Sequence, residues 1–354
     1  MKEQELGNSS VRTYQWVDVF KLFFCICIIA MHSNILFPGS YWTERLLFRL
    51  GVPFFFVASG YFLSKSCQNR GINFAVKRYC FRLLELLAAF SVIWIVQFWI
   101  DCAISKIGVA NTLVQTLQRV LFLPNNALWY IQASIVGVLL LVPFIKRGGI
   151  YAAVLTGLVL YGFALLCNNY YFVVQNSPLR FVIDGYKKIC FGPENGVFVG
   201  FVYLALGFFT ERKLSHQPIA RLCLLLGISC ALYIAEVVLL RRYAAECNDG
   251  AFYVMQLAVA PLLLSVLVQL HARFESRRSV QMRRLSTGMY LIHLPLMWCY
   301  HRFCDYLLPR IPVLKHGAGI LWNGYVKFFI ILLASWAICT LAYRHTKTIK
   351  RFLM

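Results

Sequence analysis

Lys21 and His32 stand eleven residues apart in an otherwise apolar stretch, WVDVFKLFFCICIIAMHSNILF, and Asp18 precedes the lysine by three residues. On an α-helix, eleven residues turn about 1100°, within about 20° of three full turns. The two side chains therefore share a face, roughly 16 Å apart along the axis. A neutral imidazole can take a proton from a hydroxyl near pH 7. A buried ammonium can hold an anion or a developing oxyanion. Asp18 is spaced to pair with Lys21. Each residue also has a plainer reading. His32 could be a hydrogen-bonded interfacial histidine, Lys21 could snorkel to headgroups, and Asp18 could mark the helix entrance. The three on one stripe favour chemistry, because charged groups inside spanning helices are costly and usually face a cavity.

Further candidates follow along the chain. Arg49 opens the stretch FRLGVPFFFVASGYFLS near the level of His32, where it reads as an oxyanion partner or as a headgroup contact. Gly51-Val52-Pro53 should kink the start of that helix, and Ser59-Gly60 offers a small-residue surface for close helix packing. In VKRYCFRLLELL, Arg78 and Arg82 are four apart and share a face, and Glu85 is spaced to pair with Arg82. Two guanidiniums suit a phosphate-rich ligand; cytoplasmic anchoring is the alternative. Trp129 and Tyr130 read as ligand contacts or belt aromatics, Glu194 as an acceptor contact, and His293 as a substrate contact or a satisfied structural histidine.

The elements that must carry these residues are set by composition. Of 354 residues, 60% are hydrophobic and 14% charged. A soluble domain is nearer half apolar and a quarter charged, so a soluble enzyme, a disordered chain and a secreted disulfide scaffold are excluded. The net charge of +21 lies in loops between apolar blocks and forms no basic stripe or recognition module, so nucleic acid is not an expected partner. The 13 cysteines are scattered through apolar runs without a CxxC and read as small core residues. No metal site is expected.

Hydropathy predicts an all-α polytopic membrane protein with about ten transmembrane helices. The segments are Trp16–Phe37, Phe48–Ser64, Cys80–Ile100, Ala127–Ile145, Ile150–Cys167, Gly196–Phe209, Ile219–Leu240, Ala251–Leu270, Thr287–Phe303 and Ile320–Ala342. They form one domain over 16–343, between a cytoplasmic tail at 1–15 and a basic cytoplasmic tail at 344–354. With both termini cytoplasmic, 21 of the 35 Lys and Arg fall on the inner side, 13 on the outer side, and Lys21 within the first span. That bias is the positive-inside pattern; Arg302, Arg310, Lys315 and Lys327 run against it. The N-terminus does not read as a cleavable signal, and the plasma membrane is the expected location. Two outer loops, 102–126 and 168–195, are long enough to be functional.

Taken together these residues resemble the acyltransferase-3 family of integral membrane acyltransferases. That family is marked by a basic residue, ten intervening residues and a histidine in its first helix, here Lys21-x10-His32. A Val-Pro-Phe-Phe-Phe…Ser-Gly-Tyr-Phe stretch follows (Val52 to Phe62), then Lys77, Arg78 and Arg82, Leu128-Trp129-Tyr130, and Tyr290-Leu291-Ile292-His293. Two features depart from the pattern: a lysine replaces the commoner arginine at position 21, and Glu85 stands where many relatives have a helix-bending proline region. The wording around Arg49 and Asn195-Gly196-Val197-Phe198 is most similar to the branch that includes the membrane domain of vancomycin-resistance serine racemases. The sequence contains no stretch readable as their soluble racemase domain, so racemisation is not expected.

The resemblance implies an acyltransferase that moves groups other than amino-acyl groups. The donor would be acetyl-CoA, with no permanently bound cofactor, and the acceptor a hydroxyl on an envelope glycan or a related small molecule. His32 would be the general base, with Lys21, Asp18 and Arg49 as catalytic companions. Arg78 and Arg82 would hold CoA phosphates, and Trp129, Tyr130, Glu194 and His293 would contact substrate. One tunnel should join the inner arginines to His32. The alternative of a different class is a transporter or exporter of a small molecule such as an amino acid, where charged midplane residues are equally expected.

Overall fold

A computed structural model describes residues 14–35, 39–122, 127–244, 250–270, 276–307 and 318–345. Among these the chain is helical, with no strand. The helices are α1 (Gln15–His32), α2 (Ser40–Leu46), α3 (Gly51–Arg70), α4 (Ile72–Ile104), α5 (Val109–Phe122), α6 (Trp129–Lys146) and α7 (Ile150–Leu166), then α8 (Leu179–Cys190), α9 (Phe201–Arg212), α10 (Ile219–Tyr243), α11 (Gln256–Gln269), α12 (Ser276–Arg302), α13 (Ala318–Leu321) and α14 (Gly324–His345). A 3₁₀ turn, Phe48–Leu50, leads into α3, and a π-helical turn, Gly196–Gly200, leads into α9. Most of both terminal tails, the end of the first predicted span at 36–37, and Arg310 and Lys315 lie outside the described residues.

Every one of the ten apolar segments falls on a helix. Six stretches are both long and apolar enough to cross a membrane: Gln15–His32, Ser40–Arg70, Ile72–Ile104, Trp129–Lys146, Ile219–Tyr243 and Gly324–Arg344. The remaining segments lie on shorter helices or, in α12, on a more polar one. From Phe201 to Phe208 every side chain of α9 is buried, because this helix is ringed by protein, and a helix buried all round needs no amphipathic pattern. The perimeter is the reverse. Helix α4 exposes Val92, Val96 and Ile100, α10 exposes Leu224, Leu232 and Leu239, and α14 exposes Phe329, Leu333 and Trp336. Apolar side chains facing outward on several helices are what a lipid surround requires.

The α3–α9 crossing is the most extensive helix contact, and glycine makes it possible. A Cβ on Gly60 would lie 3.1 Å from the Gly207 Cα, and one on Gly207 would lie 2.7 Å from the Gly60 Cα. The two backbones touch, as the Ser59-Gly60 reading expected for close packing. Pro53 falls in the first turn of α3, where a missing N–H costs nothing. The bend lies before it, at the 3₁₀ turn.

The two long connections at 102–126 and 168–195 contain helices, α5 and α8. Each exposes a row of large apolar side chains: Leu113, Leu117 and Leu121 on α5, and Phe181, Val182 and Ile189 on α8.

Candidate functional site

Helix α1 packs chiefly on α12, with smaller contacts to α3, the 3₁₀ turn before it, α11 and α14. Helix α1 ends at His32, five residues short of the predicted boundary. Asn34 takes a left-handed conformation (φ 54°), which asparagine tolerates and which closes a helix. The Ser33 hydroxyl donates to the Ile29 carbonyl at 2.8 Å. Gly324, opening α14, sits directly on this turn: a Cβ there would lie 3.1 Å from the Ser33 carbonyl oxygen. The imidazole thus stands at the negative end of a helix dipole, which favours a cation forming there.

Two cavities occupy opposite ends of this helix group. The first, of about 370 Å³, lies where α1 starts, α3 ends and α4 starts. Lys21, Arg78, Arg82 and Arg283 line it, along with hydroxyls of Ser59, Ser66, Tyr79 and Thr287. No Asp or Glu is among its lining residues. Four cations in one recess repel one another unless an anion enters. The Lys21 ammonium lies 4.8 Å from the centroid of the Phe62 ring, a cation–π contact.

The second cavity, of about 520 Å³, lies where α1 ends and α3 and α6 begin. It contains His32, Arg49, Trp129 and Glu194. Arg49 is held by an ion pair to Glu44 at 2.9 Å. Glu194 is presented by a short loop that Asn195 fixes. The Asn195 side-chain oxygen accepts from the Val197 and Phe198 amides at 2.9 and 3.1 Å, capping the π-helical turn. Its amide donates to the Tyr186 hydroxyl at 2.7 Å.

One tunnel was expected, and two cavities are found. Phe55, Tyr130 and Tyr290 form a triangle between them, with ring centroids 5.8 to 6.3 Å apart. All three line the cationic cavity, and Tyr290 lines the histidine cavity as well. The Tyr290 hydroxyl donates to the Ala127 carbonyl at 3.0 Å, and the Tyr130 and Ser59 hydroxyls are hydrogen-bonded at 2.9 Å. The three rings pack together where the cavities meet, with the tyrosine hydroxyls paired.

The candidates from the sequence divide accordingly. Lys21, Arg78, Arg82 and Tyr130 face the cationic cavity, whereas His32, Arg49, Trp129 and Glu194 face the histidine cavity. Trp129 and Tyr130 are neighbours on α6 and, 100° apart, serve different cavities. Asp18 lines neither. It is buried and accepts from the Ser279 hydroxyl at 2.5 Å, so it tethers α1 to α12 and makes no ion pair with Lys21. Glu85 is exposed. His293 also lines neither cavity. It is fully buried, its ring centroid 5.4 Å from that of His32.

Arg283 was missed because 271–286 read as a loop; α12 in fact begins at Ser276. A signal was present. Arg283, Ser286, Thr287, Tyr290 and His293 recur at helical spacing, which puts them on one face of one helix.

An acyltransferase domain profile (Acyl_transf_3) matches residues 14–344. A serine/alanine racemase of Enterococcus gallinarum is 23% identical over 90% of this chain and 44% of its own length. An amino-acid racemase of Enterococcus faecalis is 23% identical over 92% of this chain and 45% of its own. A further Enterococcus faecalis amino-acid racemase is 22% identical over 77% of this chain and 38% of its own. The chain thus spans less than half the length of the curated relatives it matches. No solved structure matches it significantly. With the profile running from the start of α1 to the end of α14, and His32 facing a cavity beside a cationic one, the chain belongs to the acyltransferase-3 family and is a multi-pass membrane acyltransferase.

Proposed function

We propose that the protein is an O-acyltransferase of the plasma membrane. It moves an acetyl group from acetyl-CoA on the cytoplasmic side to a hydroxyl of an envelope glycan or a related small acceptor. It crosses the bilayer about ten times with both termini in the cytoplasm. The reading rests on one observation: a cavity lined by four cations and no carboxylate meets a cavity containing an accessible imidazole at one shared side chain, Tyr290.

Arg78, Arg82 and Arg283 receive the donor's phosphates, since guanidiniums match phosphate oxygens in pairs. Lys21, on the same side, adds its charge. The uncharged arm of the donor runs along Ser59 and Phe55 to the aromatic triangle, and Tyr290 moves aside to admit the thioester. In the other cavity Trp129 offers a flat face to the acceptor, and Glu194 and Arg49 bind its polar groups. His32 removes the proton of the acceptor hydroxyl as its oxygen attacks the thioester carbonyl. The new C–O bond forms, the C–S bond breaks, and the proton on His32 passes to the departing thiolate. Arg49 stabilises the negative charge that builds on the carbonyl oxygen.

The test is His32→Ala with correct membrane insertion confirmed by protease protection. Loss of general-base catalysis should lower acetyl transfer by about 10² to 10⁴. Transfer retained at the parent rate would remove His32 from the mechanism. Mass spectrometry of envelope glycans, with and without the gene, identifies the acceptor.

A further inference from the structure

His293 shares a face of α12 with Arg283 and Tyr290 but enters no step above, and its hydrogen bonding is incomplete. Its ring is fully buried. Nδ1 lies 2.6 Å from the Tyr290 carbonyl oxygen. A carbonyl can only accept, so the Nδ1 nitrogen bears the proton and Nε2 carries a bare lone pair. That Nε2 is buried and has no hydrogen-bond partner. Buried polar atoms are nearly always paired, and an exception asks for an explanation.

The ring packed beside His293 on α1 is that of His32. The ring centroids are 5.4 Å apart with the planes tilted by 40°. Rings at that separation bring two nitrogens to hydrogen-bond distance, about 3 Å, after a small rotation. Catalytic hydrogen bonds are often long in ligand-free structures and tighten on binding.

We propose that His293 is a positioning residue for His32, its Nε2 lone pair accepting the His32 N–H so that the other His32 nitrogen is left unprotonated and turned to the acceptor hydroxyl. The proposal rests on His32 acting as the base. A general base works only in the tautomer whose lone pair meets the proton, and a partner on the second nitrogen selects that tautomer. The proton taken from the acceptor stays on His32 until the thiolate receives it. His293 accepts a hydrogen bond throughout and never becomes protonated. Tyr290 ties this pair to the passage between the cavities, because its backbone carbonyl orients His293 while its ring parts the two spaces.

The experiment uses the purified full chain in detergent and reads thiol release from acetyl-CoA in three variants. His293→Leu keeps an apolar side chain of similar bulk and removes the acceptor. His293→Gln returns a carbonyl oxygen near the Nε2 position. The expected result for His293→Leu is a fall in kcat of tenfold or more with the KM for acetyl-CoA unchanged, and for His293→Gln the recovery of most of that loss. Ring ¹⁵N shifts of histidine-labelled protein give a readout independent of turnover: His32 holds one tautomer in the parent and a mixture in His293→Leu. Parent-like kcat in His293→Leu overturns the proposal, as does failure of His293→Gln to recover a loss. If His293→Leu does not fold, a tautomer mixture at His32 in the parent protein overturns it. The third variant, His32→Ala, separates the two ideas: release retained there refutes the base itself, whereas release abolished there with His293→Leu unaffected refutes only the partner.

Discussion

Replacing Arg283 by Gln tests whether the cationic cavity binds a phosphate-bearing donor. Arg283 faces the cavity with Lys21, Arg78 and Arg82 and no lining carboxylate. A hydrogen bond to a charged group contributes about 1.5–3 kcal/mol. The Arg283 side chain is exposed to the cavity, so solvent screening places it at the low end. Each 1.4 kcal/mol is about tenfold in affinity. Arg283→Gln should therefore raise the KM for acetyl-CoA by about tenfold. Because phosphate binding is felt equally in ground and transition states, kcat should hold. The double variant with Arg78→Gln should raise KM further, though by less than the product of the single effects, since both side chains meet one ligand. The assay is initial-rate thiol release from acetyl-CoA beside acetyl-pantetheine, which has the same thioester and arm without phosphates. The variant should leave acetyl-pantetheine unchanged and should flatten the salt dependence of the KM for acetyl-CoA, because added salt screens exposed charge pairs. An equal effect on both thioesters would show that Arg283 supports the fold and not the phosphates, and no effect on either would empty the cavity of the role assigned to it.

Other perturbations reach the frame and the passage. Gly207→Val forces a side chain into a position where even a Cβ lies 2.7 Å from the Gly60 Cα and 2.8 Å from the Tyr61 amide nitrogen. It should cost about 3 kcal/mol and lower the melting temperature in detergent by several degrees, whereas Gly162→Ala, which meets open space, should not; equal melting of the two would refute the backbone contact. Tyr290→Ala should join the two cavities, raising acetyl-CoA hydrolysis without acceptor and lowering transfer. Tyr290→Phe keeps the ring and loses only the bond to Ala127, a stability change of about 1 kcal/mol. Parent-like hydrolysis in Tyr290→Ala would show that some other side chain keeps water from the thioester.

The positions of the helices were legible because lipid is a demanding solvent: a chain must hide its backbone and offer apolar side chains outward. All ten apolar segments are helical for that reason. The crossing number was less legible. A central helix such as α9 is covered by protein, so hydropathy and length say little about whether it spans. At the site, the Lys21 to His32 spacing placed both residues on the inward face of α1, since helical periodicity alone decides that. The partners of Asp18 and Arg49 were not legible. Asp18 has Lys21 three residues away yet bonds to Ser279, and Arg49 pairs with Glu44 five residues back. Side-chain partners are chosen by tertiary packing, and the sequence records only local spacing. Arg283 was hidden by the charges around it, which lowered the hydropathy of the first turns of α12. Its periodicity with Tyr290 and His293 was the better signal.

The division into two cavities has an electrostatic consequence. Proton abstraction makes His32 a cation, and the cationic cavity holds four charges of the same sign. Lys21 is about 16 Å from His32 along α1. At an effective dielectric constant of about 20, two like charges at that distance repel by about 1 kcal/mol. A continuous tunnel that let the arginines or their ligand-free field approach to half that distance would double the penalty for each charge. Helix α1 itself fixes that separation, and Glu44 offsets Arg49, the cation that lines the histidine cavity. On the proposed reading, a phosphate-bearing donor would do two things at once: neutralise the distant charges and deliver its uncharged arm toward the base. Donor binding should therefore ease proton transfer at His32 even though no phosphate comes near it. A septum that opens only to the arm preserves that advantage, whereas a permanent channel would lose it to water.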